Sequence, residues 1–319
     1  MKEIGGYFQL EHLYGAEYHQ DLLRLNLGRT ALVYALQTLH VKKLYLPRFV
    51  CDSVTSACRQ TEHLEILWYS IREDFTPILP ESIEEDAWIF LINYYGQLSN
   101  DTLRSLKEKY HRIIADYTHC FFRRPVREIP TLYSCRKYFG LPDGAYLSLP
   151  ETPDDFYQLP MDQSKYRMAH ILGRYEQSAS DFYSSMLETA HSFYDEPVKQ
   201  MSPLTQNLLH GIDYSSAQRQ RNENYDVIAQ LLGDQNPLKL HREDGPFVYP
   251  FYHPDAGSLK KELAKQHIFV PTYWNNVIDE LPSDTLEWDY ASHIMPLPID
   301  QRYTAEDIRY VAETLKKLL

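Results

Sequence analysis

Ala87-Trp88-Ile89-Phe90-Leu91-Ile92-Asn93 leads through Tyr94-Tyr95-Gly96-Gln97 and the stretch Ser99 to Tyr110 into Arg112-Ile113-Ile114-Ala115-Asp116. The first and last pieces are short, nearly unbroken apolar runs, as expected of strands covered on both faces. Between them Leu103, Leu106 and Tyr110 recur at helical spacing. This is the pattern of a βαβ unit. Toward the N-terminus the same rhythm continues: Lys43-Leu44-Tyr45-Leu46-Pro47 reads as a buried strand ending at a proline, Val54 to Ala57 as part of a helix, and Leu64 to Tyr69 as the next strand. The alternation predicts an α/β fold with a mostly parallel sheet between helices.

In such a fold ligands bind beyond the carboxyl ends of the strands. Three polar segments fall there: Asn93 to Gln97, Asp116-Tyr117-Thr118-His119, and Ser134 to Lys137 within Tyr133-Ser134-Cys135-Arg136-Lys137-Tyr138-Phe139-Gly140-Leu141-Pro142-Asp143-Gly144-Ala145. An aspartate closing a buried strand is costly unless paired, so Asp116 calls for a cationic partner. A lysine amine attacks carbonyls only when unprotonated, and desolvation or a neighbouring cation lowers its pKa. Arg136 and the pair Tyr138-Phe139 offer both beside Lys137, and Ser134 is spaced to anchor a phosphate near the amine. A lone Ser-x-x-Lys is frequent by chance, and most lysines are solvated surface residues.

Asn26-Leu27-Gly28-Arg29-Thr30-Ala31-Leu32 precedes apolar residues at Leu32, Ala35, Leu36 and Leu39, which predicts a helix from about Thr30. Its free N–H groups, the positive end of its dipole and the Thr30 hydroxyl form a candidate phosphate cradle that Gly28 opens to a ligand. An ordinary N-cap has the same sequence.

The 319 residues are 44% apolar and suffice for one large domain or two ordinary ones. With 44 acidic against 32 basic side chains, the net charge is −12. That excludes nonspecific binding to nucleic acid or an anionic membrane, both of which need a basic face. No apolar run reaches the roughly 20 residues of a membrane helix, and no basic-then-apolar signal opens the chain, so a cytoplasmic protein is expected. Cys51, Cys58, Cys120 and Cys135 form no C-x-x-C pair and read as reduced thiols rather than a metal site or disulfide framework. From Pro150 to about Pro203 the sequence turns polar, aromatic and helical. Beyond it a smaller α+β unit is expected: a helix opening near Arg219 to Tyr225, a strand Phe247 to Tyr252, a helix Ser258 to Gln266, a strand His267 to Val270 and a terminal helix Thr304 to Leu319 capped by Thr304. The expected division is 1–203 and 204–319.

Taken in order, these segments resemble the DegT/DnrJ/EryC1/StrS family of sugar aminotransferases, within the fold-type I pyridoxal-phosphate (PLP) superfamily. The family's glycine-threonine-alanine helix start looks like Gly28-Arg29-Thr30-Ala31-Leu32, and its proline-led loop like Leu46-Pro47-Arg48-Phe49. Its tyrosine-glycine-glutamine element is similar to Tyr94-Tyr95-Gly96-Gln97. Its aspartate-x-x-histidine strand end is similar to Asp116-Tyr117-Thr118-His119, and its serine-lysine element to Ser134 to Lys137. Pro142-Asp143-Gly144-Ala145 stands where the family has a glycine-rich turn. Arg221-Asn222-Glu223-Asn224-Tyr225 and His293 to Pro298 look like its small domain. The resemblance implies that Lys137 holds PLP as a Schiff base and shuttles the substrate proton. It further implies that Asp116 pairs with the pyridinium nitrogen, that Gly28, Arg29, Thr30 and Ser134 bind the phosphate, and that His119 and Tyr95 lie near the ring. Cys51, with Phe49 nearby, occupies the place where many relatives carry a ring-stacking aromatic. The implied activity is transfer of an amino group from a donor such as glutamate to a keto-sugar, nucleotide-linked, in cell-surface polysaccharide or secondary-metabolite biosynthesis, by a homodimer. The alternatives are a PLP-dependent sugar dehydratase or lyase, and a non-catalytic binding or assembly protein on the same fold.

Overall fold

The computed structural model describes residues 4–319. Its first part runs β1 (Leu23–Leu25), α1 (Gly28–Thr38), β2 (Lys43–Pro47), α2 (Asp52–Arg59), β3 (Glu65–Ile71), β4 (Pro77–Ile78), β5 (Ala87–Ile92), α3 (Asn100–Tyr110), β6 (Ile113–Asp116), β7 (Thr131–Ser134) and β8 (Ala145–Ser148). These strands form one sheet in the order β1-β8-β7-β6-β5-β2-β3-β4. The strands from β7 across to β3 run parallel, while β8, β1 and β4 join antiparallel at the two sides. All 6 residues of β5 are buried, which is why its sequence shows no alternation. The α/β architecture is therefore the one the alternating pattern predicts.

Register brings the strand ends together. Ile92 pairs with Asp116 and Asp116 with Leu132. The ladder then continues one step past the strands, Asn93 N–H donating to Asp116 C=O at 3.0 Å and Tyr117 N–H to Leu132 C=O at 2.8 Å. The side chains following β5, β6 and β7 consequently emerge along one edge.

Helix α1 begins at Gly28, two residues earlier than expected. Thr30 explains the difference, because its hydroxyl accepts the Leu27 N–H at 3.2 Å and lies within donating distance of Asn26 Oδ1 (2.5 Å) and Leu27 C=O (2.9 Å). Thr30 thus closes the turn from inside the helix. Asn26 C=O in turn receives the N–H of Gly144, whose φ of +117° suits glycine, at 2.5 Å.

After β8 the chain passes through α4 (Ala169–Glu176), α5 (Tyr183–His191), α6 (Pro203–Leu209) and α7 (Tyr214–Leu232). The last part comprises β9 (Tyr249–Tyr252), α8 (Ala256–Lys265), α9 (Asn275–Glu280), α10 (Leu286–His293), β10 (Ile294–Leu297) and α11 (Ala305–Lys316). Strands β9 and β10 form a separate antiparallel pair. A core of its own, including Ile228, Leu232, Phe251, Leu263, Met295, Ile308 and Leu315, joins them to α7, α8 and α11. The main core nevertheless takes in Phe247, Val277, Tyr290 and Ile294 as well. Helix α11 opens as expected: Thr304 and Asp307 bond each other's backbone N–H groups. The segment His267 to Val270 is not the expected strand. His267 takes a left-handed φ of 58° and the Ile268 N–H returns to Leu263 C=O at 3.0 Å, so these residues terminate α8. Among the described residues no helix is long and apolar enough to cross a membrane.

One side chain ties the two parts together. Arg221 on α7 is 1% exposed and donates to Gln301 Oε1 (2.7 Å), Pro246 C=O (2.9 Å), Phe247 C=O (3.0 Å) and Tyr138 C=O (3.2 Å). It therefore fixes the residue after Lys137 relative to Phe247. Replacing it strands buried acceptors, each costing roughly 1–3 kcal/mol. Arg221→Met should lower unfolding free energy by about 3 kcal/mol in urea titration; a loss below about 1 kcal/mol would remove this tie from the account.

Candidate active site

Asp116, the last residue of β6, is buried, and its Oδ1 accepts the Thr118 N–H at 2.8 Å. Burial lifts the carboxyl to about 6, against the Thr118 hydrogen bonds and the charge of Lys137, which both lower it. Lys137 ends a short 3-10 turn, Cys135–Lys137, directly after β7. Its side chain is exposed, and Nζ lies 5.3 Å from the centroid of Phe247 and 5.7 Å from that of Tyr273. Both rings offer their negative faces to the ammonium.

His119 is buried between rings, stacked on Phe247 at 4.6 Å and on Tyr95 at 5.3 Å. Burial first and the Lys137 charge second hold its pKa well below the ordinary histidine value, so the imidazole is neutral. Its Nδ1 accepts the Tyr95 N–H at 3.4 Å, which leaves Nε2 to carry the proton. Tyr95 has a left-handed φ of 52°, a strained backbone for a bulky residue. Its position is held from outside. Arg123 donates to the carbonyl of the next residue, Gly96, at 3.0 Å and is paired with buried Glu243. A side chain at residue 96 would meet Glu243 Oε2 at 2.5 Å. The Tyr95 hydroxyl is buried without a hydrogen-bond partner.

Gly28, Arg29 and Ser134 form the second half of the site. A Cβ on Gly28 would stand 3.7 Å from Ser134 Cβ, so the start of α1 and the end of β7 adjoin. The first N–H groups of α1 have no acceptor within the helix. Thr30 is buried and its hydroxyl is engaged in the turn described above, so it shapes the cradle rather than facing a ligand. Cys51 is the N-cap residue of α2, half-buried, with Sγ 2.9 Å from Ser53 Oγ. The aromatic contact there belongs instead to Phe49 and Trp274, whose rings lie 4.2 Å apart.

Sequence reading missed Phe247, Tyr273 and Trp274, which reach the site from the C-terminal part. Trp274 also adopts a left-handed φ, 56°, and its ring centroid lies 5.9 Å from that of His119. The adjacent aromatic pair Tyr273-Trp274 after Pro271 was the available signal. A cavity of about 410 Å³ beside Phe139, Gly140, Asp213 and Gln301 contains none of the expected site residues. The chemistry is better located by the unsatisfied groups: a buried carboxylate facing a lysine, a buried phenol without a partner, and an open helix start. They fit a ligand with a cationic, hydrogen-bonding ring at one end and an anion at the other.

No family model and no curated protein matches the chain. Solved structures do. DesV from S. venezuelae is 16% identical, over 97% of this chain and 91% of DesV, with a TM-score of 0.68. NtdA from Bacillus subtilis, solved with bound cofactor PMP, is 12% identical over 96% of this chain and 78% of its own, with a TM-score of 0.67. A DegT DnrJ EryC1 StrS aminotransferase from Brucella abortus is 12% identical over 93% and 85%, with a TM-score of 0.61. The chain shares their fold. It places Asp116 and Lys137 at the carboxyl edge of the parallel strands, where that architecture puts ligands.

The carboxyl of Asp116 yields a test free of any activity assay. An acid whose folded pKa is raised gives stability that is complete below the unfolded value near 4 and lost as pH rises through about 6. Asp116→Asn should therefore stabilise the ligand-free protein by about 2–3 kcal/mol at pH 8, with the gain shrinking toward pH 4. Thermal melts across that range check it, and a destabilised variant at pH 8 would contradict the assignment.

Proposed function

We propose that this protein is a PLP-dependent aminotransferase that delivers an amino group to a keto-sugar, with glutamate or a similar amine as donor. The single observation carrying this reading is the placement of Lys137 and buried Asp116 beyond neighbouring parallel strand ends, with the lysine's charge felt at the carboxyl. The fold it shares with known aminotransferases supports it. The donor set fits the cofactor: Lys137 would hold its carbonyl carbon, Asp116 its ring nitrogen, and the α1 start with Ser134 its phosphate.

When bound, PLP supplies an electron sink that makes a carbon–hydrogen bond beside the amine acidic. Everything else falls to the chain. Lys137 Nζ would serve as the nucleophile and as the base that holds the substrate proton. The rings of Phe247 and Tyr273 confine that amine near its two stations. Asp116, a buried carboxyl with a raised pKa, would hold the ring nitrogen and favour its protonated form. His119 is neutral and so donates from Nε2 without adding a charge that would compete with Lys137. Tyr95, stacked on His119, fixes the imidazole plane.

The division into a cofactor-binding part, 1–203, and a smaller part, 204–319, belongs to the same reading, as do a cytoplasmic location and a homodimer. Support for the dimer comes from Tyr157, Tyr166, Leu172, Tyr175 and Tyr183, large apolar or aromatic side chains left exposed along one stretch. Sedimentation velocity at micromolar concentration should give a dimer, and a monomer would remove that element. The enzyme reading is tested by adding PLP, recording the absorbance band of the lysine adduct, reducing with borohydride and mapping the modified peptide. Label on Lys137 and loss of the band in Lys137→Ala are expected. Absence of both would leave a non-catalytic protein on this fold.

A further inference from the structure

The residues around the start of α1 carry more positive charge than their neighbours neutralise. Arg29, the second residue of α1, lies with its guanidinium 5.0 Å from the Tyr194 ring, and its one hydrogen bond is a 3.3 Å contact to Phe193 C=O. Arg136, two residues beyond Ser134, stands 4.1 Å above the ring of the same Phe193. Arg167 approaches that ring at 5.0 Å from its own position, but it is bonded to Asp162 and Glu196. Its charge is spoken for. Arg136 differs: its Nε is buried with no hydrogen-bond partner, and no acceptor or ion-pair partner for its guanidinium occurs among the described residues. Burial, then repulsion from Arg29, pushes its pKa down to about 10.

The one acid whose charge reaches it, Asp143, offsets it only in part. Asp143 is fully buried and already accepts the Ser202 N–H at 2.8 Å, the Ser202 hydroxyl at 2.7 Å and the Thr205 hydroxyl. A largely buried guanidinium with no acceptor is unfavourable in isolation. Beside a second arginine and a helix N-terminus it is worse, because all three repel cations and attract the same thing. The missing member is an anion with several acceptor oxygens, which the planar guanidinium fork fits bidentately.

We propose that Arg29 and Arg136 form a two-arginine clamp for a phosphate monoester at the start of α1, so that a single chain supplies the full countercharge of its cofactor's phosphate. The inference rests on the PLP reading for the identity of that monoester. Phosphate groups of a nucleotide-linked sugar share the chemistry, and the experiment separates the two sources. Lysine in place of Arg136 keeps the charge and loses the fork, so it restores part of the binding.

The test compares wild type, Arg136→Gln, Arg136→Lys and Arg29→Gln in titrations with PLP, with pyridoxal lacking the phosphate, with inorganic phosphate and with uridine diphosphate, following adduct absorbance and thermal melting. The clamp predicts PLP binding weakened about tenfold to a hundredfold in Arg136→Gln and Arg29→Gln, with Arg136→Lys between. Pyridoxal binding should change less than about twofold in all of them, and the ligand-free melting temperature should hold or rise as like-charge repulsion is relieved. Inorganic phosphate should raise the melting temperature of wild type and not of Arg136→Gln. Equal weakening toward PLP and pyridoxal, or none toward PLP, overturns the clamp. So does a loss confined to stabilisation by uridine diphosphate, which would assign the arginines to substrate. If wild type forms no Lys137 adduct, the enzyme reading fails separately, and the phosphate melts still decide whether the clamp exists.

Discussion

A carboxylate taken out of water at the end of a parallel strand governs this structure. Asp116 keeps one backbone donor within 2.8 Å, and burial has raised its pKa to about 6, so near neutrality it is ionised at the expense of folding. The parallel register fixes where it sits, because β5, β6 and β7 must end together and their following residues must share an edge. That edge then collects Lys137, the cation that partly offsets the carboxylate, and His119, which burial first and the Lys137 charge second keep neutral. The ionisation of Asp116 and of His119 is thereby shaped by one topological fact.

The C-terminal part completes the site rather than merely covering it. Arg221 holds the carbonyls of Tyr138 and Phe247 in one fork, so the lysine turn and the ring over its amine move together. Glu243 reaches back to Arg123 and Gly96, which maintains the left-handed backbone at Tyr95. Strain at Tyr95 and at Trp274 costs of order 1–3 kcal/mol each and persists only where surrounding contacts over-determine it. Here those contacts come from both parts of the chain. Ordering of the ring stack and docking of the C-terminal part are therefore coupled.

What the sequence disclosed follows from the range of the interactions concerned. The strands β2, β3, β5 and β6 were legible from their apolar runs, unbroken in the fully buried β5 and β6, and α3 because its apolar stripe is local, whereas the two-residue β4 left no pattern. The strands β1, β7 and β8 carry only 3 to 4 residues each and pair antiparallel at one side of the sheet, so no periodicity could reveal them. That Asp116 calls for a cation was legible from the cost of a buried acid; that the charge of Lys137 reaches it was not. Nor were the rings of Phe247, Tyr273 and Trp274, since they arrive from more than a hundred residues away through packing that no local pattern encodes. Thr30 was misplaced for a subtler reason: a hydroxyl that caps its own turn and one that faces a ligand look alike in sequence, and only the 2.5 Å contact to Asn26 separates them.

The distribution of unsatisfied charge has a direction. Buried Asp116, only partly offset by Lys137, stands at one end of the site, and by the start of α1 lie Arg29 and Arg136, the latter with its buried Nε unpartnered. Neither end is stable by itself, and each would be neutralised within the fold if stability were all that the sequence encoded. A ligand cationic at one end and dianionic at the other, as proposed above, would satisfy both at once, and its binding free energy would add to the stability of the folded state. The same argument explains the neutral histidine between the poles. A third charge there would repel either Lys137 or the arginines, so burial among Tyr95, Phe247 and Trp274 removes it.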